Sequence, residues 1–355
     1  MSSLRPANPL LDGLEPYDPK YLPAQAMLSA NENHADVPQE VRACMREAID
    51  ELALNRYPDP LANDLRDALA ADYGLNRENV LVGNGGDELL FDLVLAWGGQ
   101  GRTMLNLPPT FSVYAANARL TGTQVVDINR LDDFAIDEEA VLARVGQGDI
   151  DLVVVCSPNN PTGNLVPPEF VERLLNATDA LVLLDEAYGE FAGSSTLPLL
   201  QRHDNLAILH TFSKAYSLAA VRLGFLLASP QVVTELCKVR QPYSVDAVSQ
   251  AMALQVCRNR AAFQPGIEAI IAERARAFEA LDALPAVQVW PSEANYLLFR
   301  VPEQVAASLW QECYDAGVLV RDFSTGALTR NCFRVTIGAP HENDLFLDVL
   351  GRALQ

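Results

Sequence analysis

Leu181-Val182-Leu183-Leu184-Asp185-Glu186-Ala187-Tyr188 and, further on, Leu206-Ala207-Ile208-Leu209-His210-Thr211-Phe212-Ser213-Lys214 share one design: a short unbroken apolar run that ends in polar residues. A run without polar alternation predicts a strand covered on both faces, as in a parallel sheet. Working outward, similar runs occur at 79–82, 103–107, 124–128, 151–156 and 223–228, which with 180–185 and 206–211 make seven strands. Helical periodicity fills intervals between them, at 87–97, 138–145 and 168–176. The order predicts an α/β fold with a mostly parallel seven-stranded sheet between helical layers. In such sheets ligands collect at the carboxyl ends of the strands, where the polar residues stand here.

Beyond Ser244 two longer helical patterns, 245–259 and 265–284, run up to Pro285. A second alternating unit follows, with strands at 295–300, 318–321 and 333–337 and helices at 302–316 and 342–354. Residues 37–284 are thus read as a large domain, and 285–355 as a small α+β domain to which an N-terminal arm, 1–36, contributes. The six cysteines are scattered, with no C-x-x-C pair, so neither a zinc site nor a disulfide framework is expected. A formal charge of −20 disfavours nucleic acid and anionic membranes as partners. No signal-peptide or spanning run is apparent, and a cytoplasmic enzyme is expected.

Only three of the 26 basic residues are lysines: Lys20, Lys214 and Lys238. A Schiff base requires a primary amine, which arginine lacks, so retention of Lys214 in an arginine-preferring chain has a chemical reason. Thr211, Ser213 and Arg222 surround it with hydroxyls and a planar donor suited to phosphate. Gly83-Asn84-Gly85-Gly86-Asp87-Glu88 opens a helix after a strand, where free N–H groups could receive an anion. Taken alone it is equally a tight turn, and its spacing is not G-x-G-x-x-G. Asp185-Glu186 at a strand end would suit the Mg²⁺ of a nucleoside triphosphatase, yet the chain contains no Gly-Lys pair for a phosphate loop. It equally suits the ring nitrogen of pyridoxal 5′-phosphate, where an aspartate keeps the ring electron-poor. Ser157-Pro158-Asn159-Asn160-Pro161-Thr162-Gly163 and Pro108-Pro109-Thr110-Phe111 follow two further strands, the one offering an amide and the other an aromatic face; each read alone is also a turn or a core residue.

Taken in order, these motifs resemble those of class I and II aminotransferases of fold type I, and most of all the histidinol-phosphate aminotransferase family. Leu28-Ser29-Ala30-Asn31-Glu32-Asn33, Asn55-Arg56-Tyr57-Pro58-Asp59-Pro60, Ser292-Glu293-Ala294-Asn295-Tyr296 and Phe333-Arg334-Val335-Thr336-Ile337-Gly338 extend the likeness from about Tyr17 to the C-terminus. The resemblance implies a homodimer in which Tyr57 reaches the cofactor phosphate of the partner chain. In the same chain Gly85, Gly86, Asp87, Thr211, Ser213 and Arg222 would hold the phosphate, and Phe111 would stack on the ring. Asn160 and Tyr188 would contact the phenolic oxygen, Asp185 the ring nitrogen, and Lys214 would carry the cofactor and act as general base. Tyr17, Arg321 and Arg334 look like contacts for the anion of a small amino donor or a 2-oxo acid such as 2-oxoglutarate. Two positions depart from the pattern: His34-Ala35-Asp36 replaces a common Pro-Tyr-Gly, and Gly86 stands where many relatives have Ser. No metal is expected. An aromatic amino acid aminotransferase and a threonine-phosphate decarboxylase share the implied pocket and stay open as alternatives.

Overall fold

The computed structural model describes residues 4–5, 7–12 and 22–355. After a short strand β1 (Ala26–Leu28), helices α1 (Gln39–Asp50) and α2 (Asn63–Tyr73) lead into the large sheet. Its strands are β2 (Val80–Gly83), β3 (Thr103–Asn106), β4 (Gln124–Asp127), β5 (Leu152–Cys156), β6 (Leu181–Asp185), β7 (Leu206–Thr211) and β8 (Gly224–Ala228). The intervening helices are α3 (Gly85–Trp97), α4 (Val113–Leu120), α5 (Glu138–Val145) and α6 (Pro168–Ala177). All seven predicted strands form, in the order β2-β8-β7-β6-β5-β3-β4. Neighbours run parallel except β8, which is antiparallel to both β7 and β2. The reason is the link: β7 reaches β8 through 212–223 without a crossover helix, and a parallel return needs one.

The two faces of each strand feed separate cores. Leu152, Val154 and Cys156 pack with the apolar sides of α3 and α4, and Val153 and Val155 pack with those of α2 and α6 on the other face. This alternation inside a continuous apolar run is what a strand covered on both sides requires. Helix α6 shows the matching helical logic: Phe170, Val171, Leu174 and Leu175 form its buried stripe, with Pro168 at the first turn. Asp137 caps α5 by accepting from Ala140 N at 3.0 Å, a contact of about 1 kcal/mol.

Helices α7 (Pro230–Val239), α8 (Ala247–Arg258) and α9 (Gln264–Asp282) follow, the last ending before Pro285 as its ring geometry demands. The remaining elements are β9 (Gln288–Val289), β10 (Tyr296–Arg300), α10 (Glu303–Asp315), β11 (Val318–Asp322), β12 (Cys332–Thr336) and α11 (Pro340–Ala353). They make a five-stranded sheet ordered β1-β11-β12-β10-β9. Strand β1, which the sequence reading left within an arm, pairs in parallel with β11 through Ala26, Met27 and Leu28. Residues 26–28 thus complete one edge of this sheet.

Candidate active site

The carboxyl ends of β6 and β7, the N-terminus of α3 and strands β11 and β12 surround a cavity of about 250 Å³. Each contributing side chain is set by the element that ends beside it. Asp185 is the last residue of β6 and is 4% exposed. Its Oδ1 accepts from Ala187 N at 2.9 Å, and its Oδ2 accepts from the Tyr114 hydroxyl at 2.6 Å. Burial pushes the Asp185 carboxyl above its ordinary range, and the Tyr114 and Ala187 hydrogen bonds oppose that shift. The carboxylate thus sits where it gains most from a protonated nitrogen arriving from the cavity.

Lys214 follows β7 and is half-buried in the cavity wall. Its Nζ donates to the Ala30 carbonyl at 2.9 Å. Burial first, then the positive fields of Arg334 and Arg222, push its ammonium down to about 8, against Glu32 and Asp87. A lysine in that range is a usable nucleophile and base near neutrality.

At the other end of the cavity the first turn of α3 presents N–H groups that have no intrahelical acceptor. Arg222, in left-handed backbone with φ 53°, lies over this turn and donates from a terminal nitrogen to Asp87 Oδ2 at 3.0 Å. Gly85 permits that approach: at its φ of +74° a Cβ would lie 2.9 Å from the guanidinium. Gly224 does the same from β8, where a Cβ would lie 2.8 Å from Gly86 N. The arrangement is a cradle for an anion, and it contains Ser213 as well. Thr211 is engaged locally, its Oγ1 accepting from Ser213 N at 3.1 Å and donating to the Leu223 carbonyl at 3.3 Å.

Phe111 lines the same cavity and meets Tyr114 edge-on at 5.5 Å. Asn160 and Tyr188 line it too. Arg321 and Arg334 are register partners on β11 and β12. Arg334, 6% exposed, donates to Asn160 Oδ1 and to the Ser29 carbonyl, the latter at 2.6 Å. It lies in the cavity wall, while Arg321 is half-buried. Tyr57 is elsewhere: 82% exposed, it stacks on Tyr243 at 4.6 Å. Tyr17 lies outside the described residues.

Three cavity or near-cavity residues escaped the sequence reading as individuals. Tyr114 reads only as an apolar position of α4, and no local signal ties it to Asp185. Asn31 was quoted within a motif without a role, yet its side-chain nitrogen donates to the Tyr188 hydroxyl at 2.9 Å. Asn159 is buried and braces two loops, donating to the Pro109 carbonyl and accepting from Thr110 Oγ1 at 2.8 Å. Its place between Pro158 and Pro161 was the one available hint.

A buried carboxylate, an amine of lowered basicity, an anion cradle and an aromatic wall fit a flat phosphorylated pyridine better than a metal ion. Among the described residues no group of His, Cys, Asp and Glu is arranged to hold a metal. Comparison with known proteins agrees. Residues 24–350 match the family described as Aminotransferase class I and II. A histidinol-phosphate aminotransferase from Carboxydothermus hydrogenoformans is 41% identical over 96% of both chains. Another from Chlorobaculum tepidum is 34% identical over 97% of this chain and 99% of that one. The crystal structure of histidinol-phosphate aminotransferase from Sinorhizobium meliloti in complex with pyridoxal-5′-phosphate superposes with a TM-score of 0.90, at 26% identity, over 99% of this chain and 98% of that one. With the motifs, the sheet order and the cavity all in agreement, the chain belongs to the class I and II aminotransferases.

Proposed function

We propose that the protein uses pyridoxal 5′-phosphate to transfer the amino group of histidinol phosphate to 2-oxoglutarate, giving imidazole acetol phosphate and glutamate, a step of histidine biosynthesis. One observation carries the chemistry: Lys214, Asp185 and the Arg222 cradle converge on a single cavity whose far wall holds two arginines. The identity of 34–41% to two histidinol-phosphate aminotransferases over nearly whole chains supports the donor. The arginines suit both partners, since the donor brings a phosphate and the acceptor brings carboxylates.

Bound pyridoxal phosphate supplies a conjugated sink for the charge left when a proton leaves the substrate's α-carbon. Asp185, held by Tyr114 and Ala187, would keep a proton on the ring nitrogen. The first turn of α3, Ser213 and Arg222 would hold the phosphate, and Phe111 would pack against the ring. Asn160 and Tyr188 would serve the phenolic oxygen. Lys214 would hold the cofactor at Nζ and, as the free amine, would take the α-proton and return it. Arg334 and Arg321, with Tyr17, orient the substrate anion so that the α-hydrogen faces that amine.

Residues 37–284 are assigned to a cofactor domain, and 285–355 with the arm 1–36 to a smaller one. The protein works as a homodimer in the cytoplasm, with Tyr57 serving the neighbouring site. Its 82% exposure in the single chain supports that role, as does the 74% exposure of nearby Leu54. A panel of donors tested with 2-oxoglutarate decides the substrate: histidinol phosphate should give the highest kcat/KM. Phenylalanine or tyrosine in first place replaces the reading with an aromatic aminotransferase, and release of CO₂ in place of a keto product replaces it with a decarboxylase.

A further inference from the structure

Residues Ser29–Asn31 run from the end of β1 along the cavity wall, and Asn31 is the buried knot of that segment, 1% exposed with φ 55°. We propose that Asn31 and Thr336 are positioning residues that fix the Tyr188 hydroxyl as a hydrogen-bond donor to the cofactor's phenolic oxygen. The proposal rests on the pyridoxal phosphate assignment made above.

The polarity starts from a group that can only donate. Asn31 N–H donates to Thr336 Oγ1 at 2.9 Å, and Thr336 Oγ1 donates to Asn31 Oδ1 at 3.1 Å. That second bond fixes which end of the amide is oxygen, so the Asn31 nitrogen faces Tyr188 and donates to its hydroxyl at 2.9 Å. Turning the amide over would leave the Thr336 hydroxyl hydrogen without an acceptor. Thr336 is 1% exposed, and among the described residues its hydroxyl meets only Asn31. Such a buried orphan costs about 1–3 kcal/mol. The Tyr188 oxygen therefore accepts from behind, and its own hydrogen is left to point into the cavity it lines.

The Asn31 backbone is held as well, its carbonyl accepting from Asn295 Nδ2 at 3.1 Å. Around Tyr188 stand the Lys214 ammonium, 5.9 Å from the ring centroid, the Tyr296 ring at 5.0 Å, and Arg334, Cys156 and Asp185. Burial holds the Tyr188 phenol above its ordinary range, so it keeps the proton it is to donate.

The test is the pH titration of the visible band of the purified, cofactor-loaded protein. A donor to the phenolic oxygen draws off its charge, so losing that donor makes the adjacent cofactor–lysine nitrogen more basic and moves the midpoint up. Tyr188→Phe should raise it by about one unit, the scale of one hydrogen bond. Asn31→Asp keeps the shape and tolerates the left-handed backbone, but a carboxylate accepts from Tyr188 and turns its proton away from the cavity. It should raise the midpoint by a similar amount. Thr336→Val, which buries no charge and suits a strand, frees the amide to turn and should give a smaller shift of the same sign. Combined with Tyr188→Phe, Thr336→Val should move the midpoint no further, and Asn31→Asp should move it by less than it does in the parent protein. An unchanged midpoint in both variants overturns the proposal, as does a shift that persists in full in the Tyr188→Phe background. A parent protein that shows no visible band with pyridoxal phosphate overturns the cofactor reading instead.

Discussion

Tyr114→Phe removes one oxygen atom, and the structure sets what that atom is worth. The Asp185 carboxylate, 4% exposed, has two recorded donors, the Ala187 N–H at 2.9 Å and the Tyr114 hydroxyl at 2.6 Å. Deleting the shorter, charge-assisted one from this buried carboxylate should cost about 1.5–3 kcal/mol while the carboxyl is ionised. The folded-state pKa of Asp185 already lies above its ordinary value because of burial. A raised carboxyl pKa means that the folded chain binds the extra proton, so this group's contribution to stability is fully present below the unfolded value and lost as pH rises through the folded one. Losing the Tyr114 bond raises the folded pKa further. The penalty of Tyr114→Phe should therefore be largest at the alkaline end and shrink as pH falls and Asp185 is protonated in both proteins. Urea unfolding of the cofactor-free protein between about pH 5 and 9 measures it. The same substitution in an Asp185→Asn background should cost only about 0.5–1.5 kcal/mol, the value of a neutral hydrogen bond. A penalty independent of pH, or equal in the two backgrounds, would refute the claim that Tyr114 acts on the charge of Asp185.

Lys214, its ammonium pushed down to about 8, should react with added pyridoxal phosphate at a rate that rises around that pH, well below the ordinary lysine value of about 10.4. Stopped-flow absorbance follows the reaction; Arg334→Leu should move the midpoint up by removing a repelling charge, and Lys214→Ala should form no borohydride-reducible adduct. Asp185→Ala should fold yet lower kcat by about two to three orders of magnitude, since the ring nitrogen loses its charge partner; near-normal steady-state turnover would place the electron-sink control elsewhere. Arg334→Lys keeps the charge but loses the two-point grip that now spans Asn160 and the Ser29 carbonyl. It should raise KM for both donor and 2-oxoglutarate, with the cofactor spectrum retained.

The large sheet was legible because each of its strands is a local apolar run, and many of the cavity-lining residues stand within a few positions of a strand end. Lys214, Asp185 and Arg222 were singled out on that logic, and all three line one cavity. What was not legible depends on contacts between distant parts of the chain. Tyr114 reaches Asp185 across 71 residues, Asn31 reaches Tyr188 across 157, and Thr336 reaches Asn31 across 305. Strand β1 was missed because three residues are too few to show a period, and its partner β11 begins at Val318. Tyr57 illustrates a different limit. Its role was inferred from the resemblance alone, and in a single chain it is a solvent-exposed ring beside Tyr243.

The pairing of β1 with β11 reaches beyond the sheet edge that it completes. Directly after β1, the carbonyls of Ser29 and Ala30 receive Arg334 and Lys214, one cation from each sheet's side of the cavity. Residues 26–31 thus form one continuous tie from the edge of the small sheet to the Lys214 amine. The amine's hydrogen bond and the strand pair that carries Arg321 and Arg334 are therefore set by the same six residues.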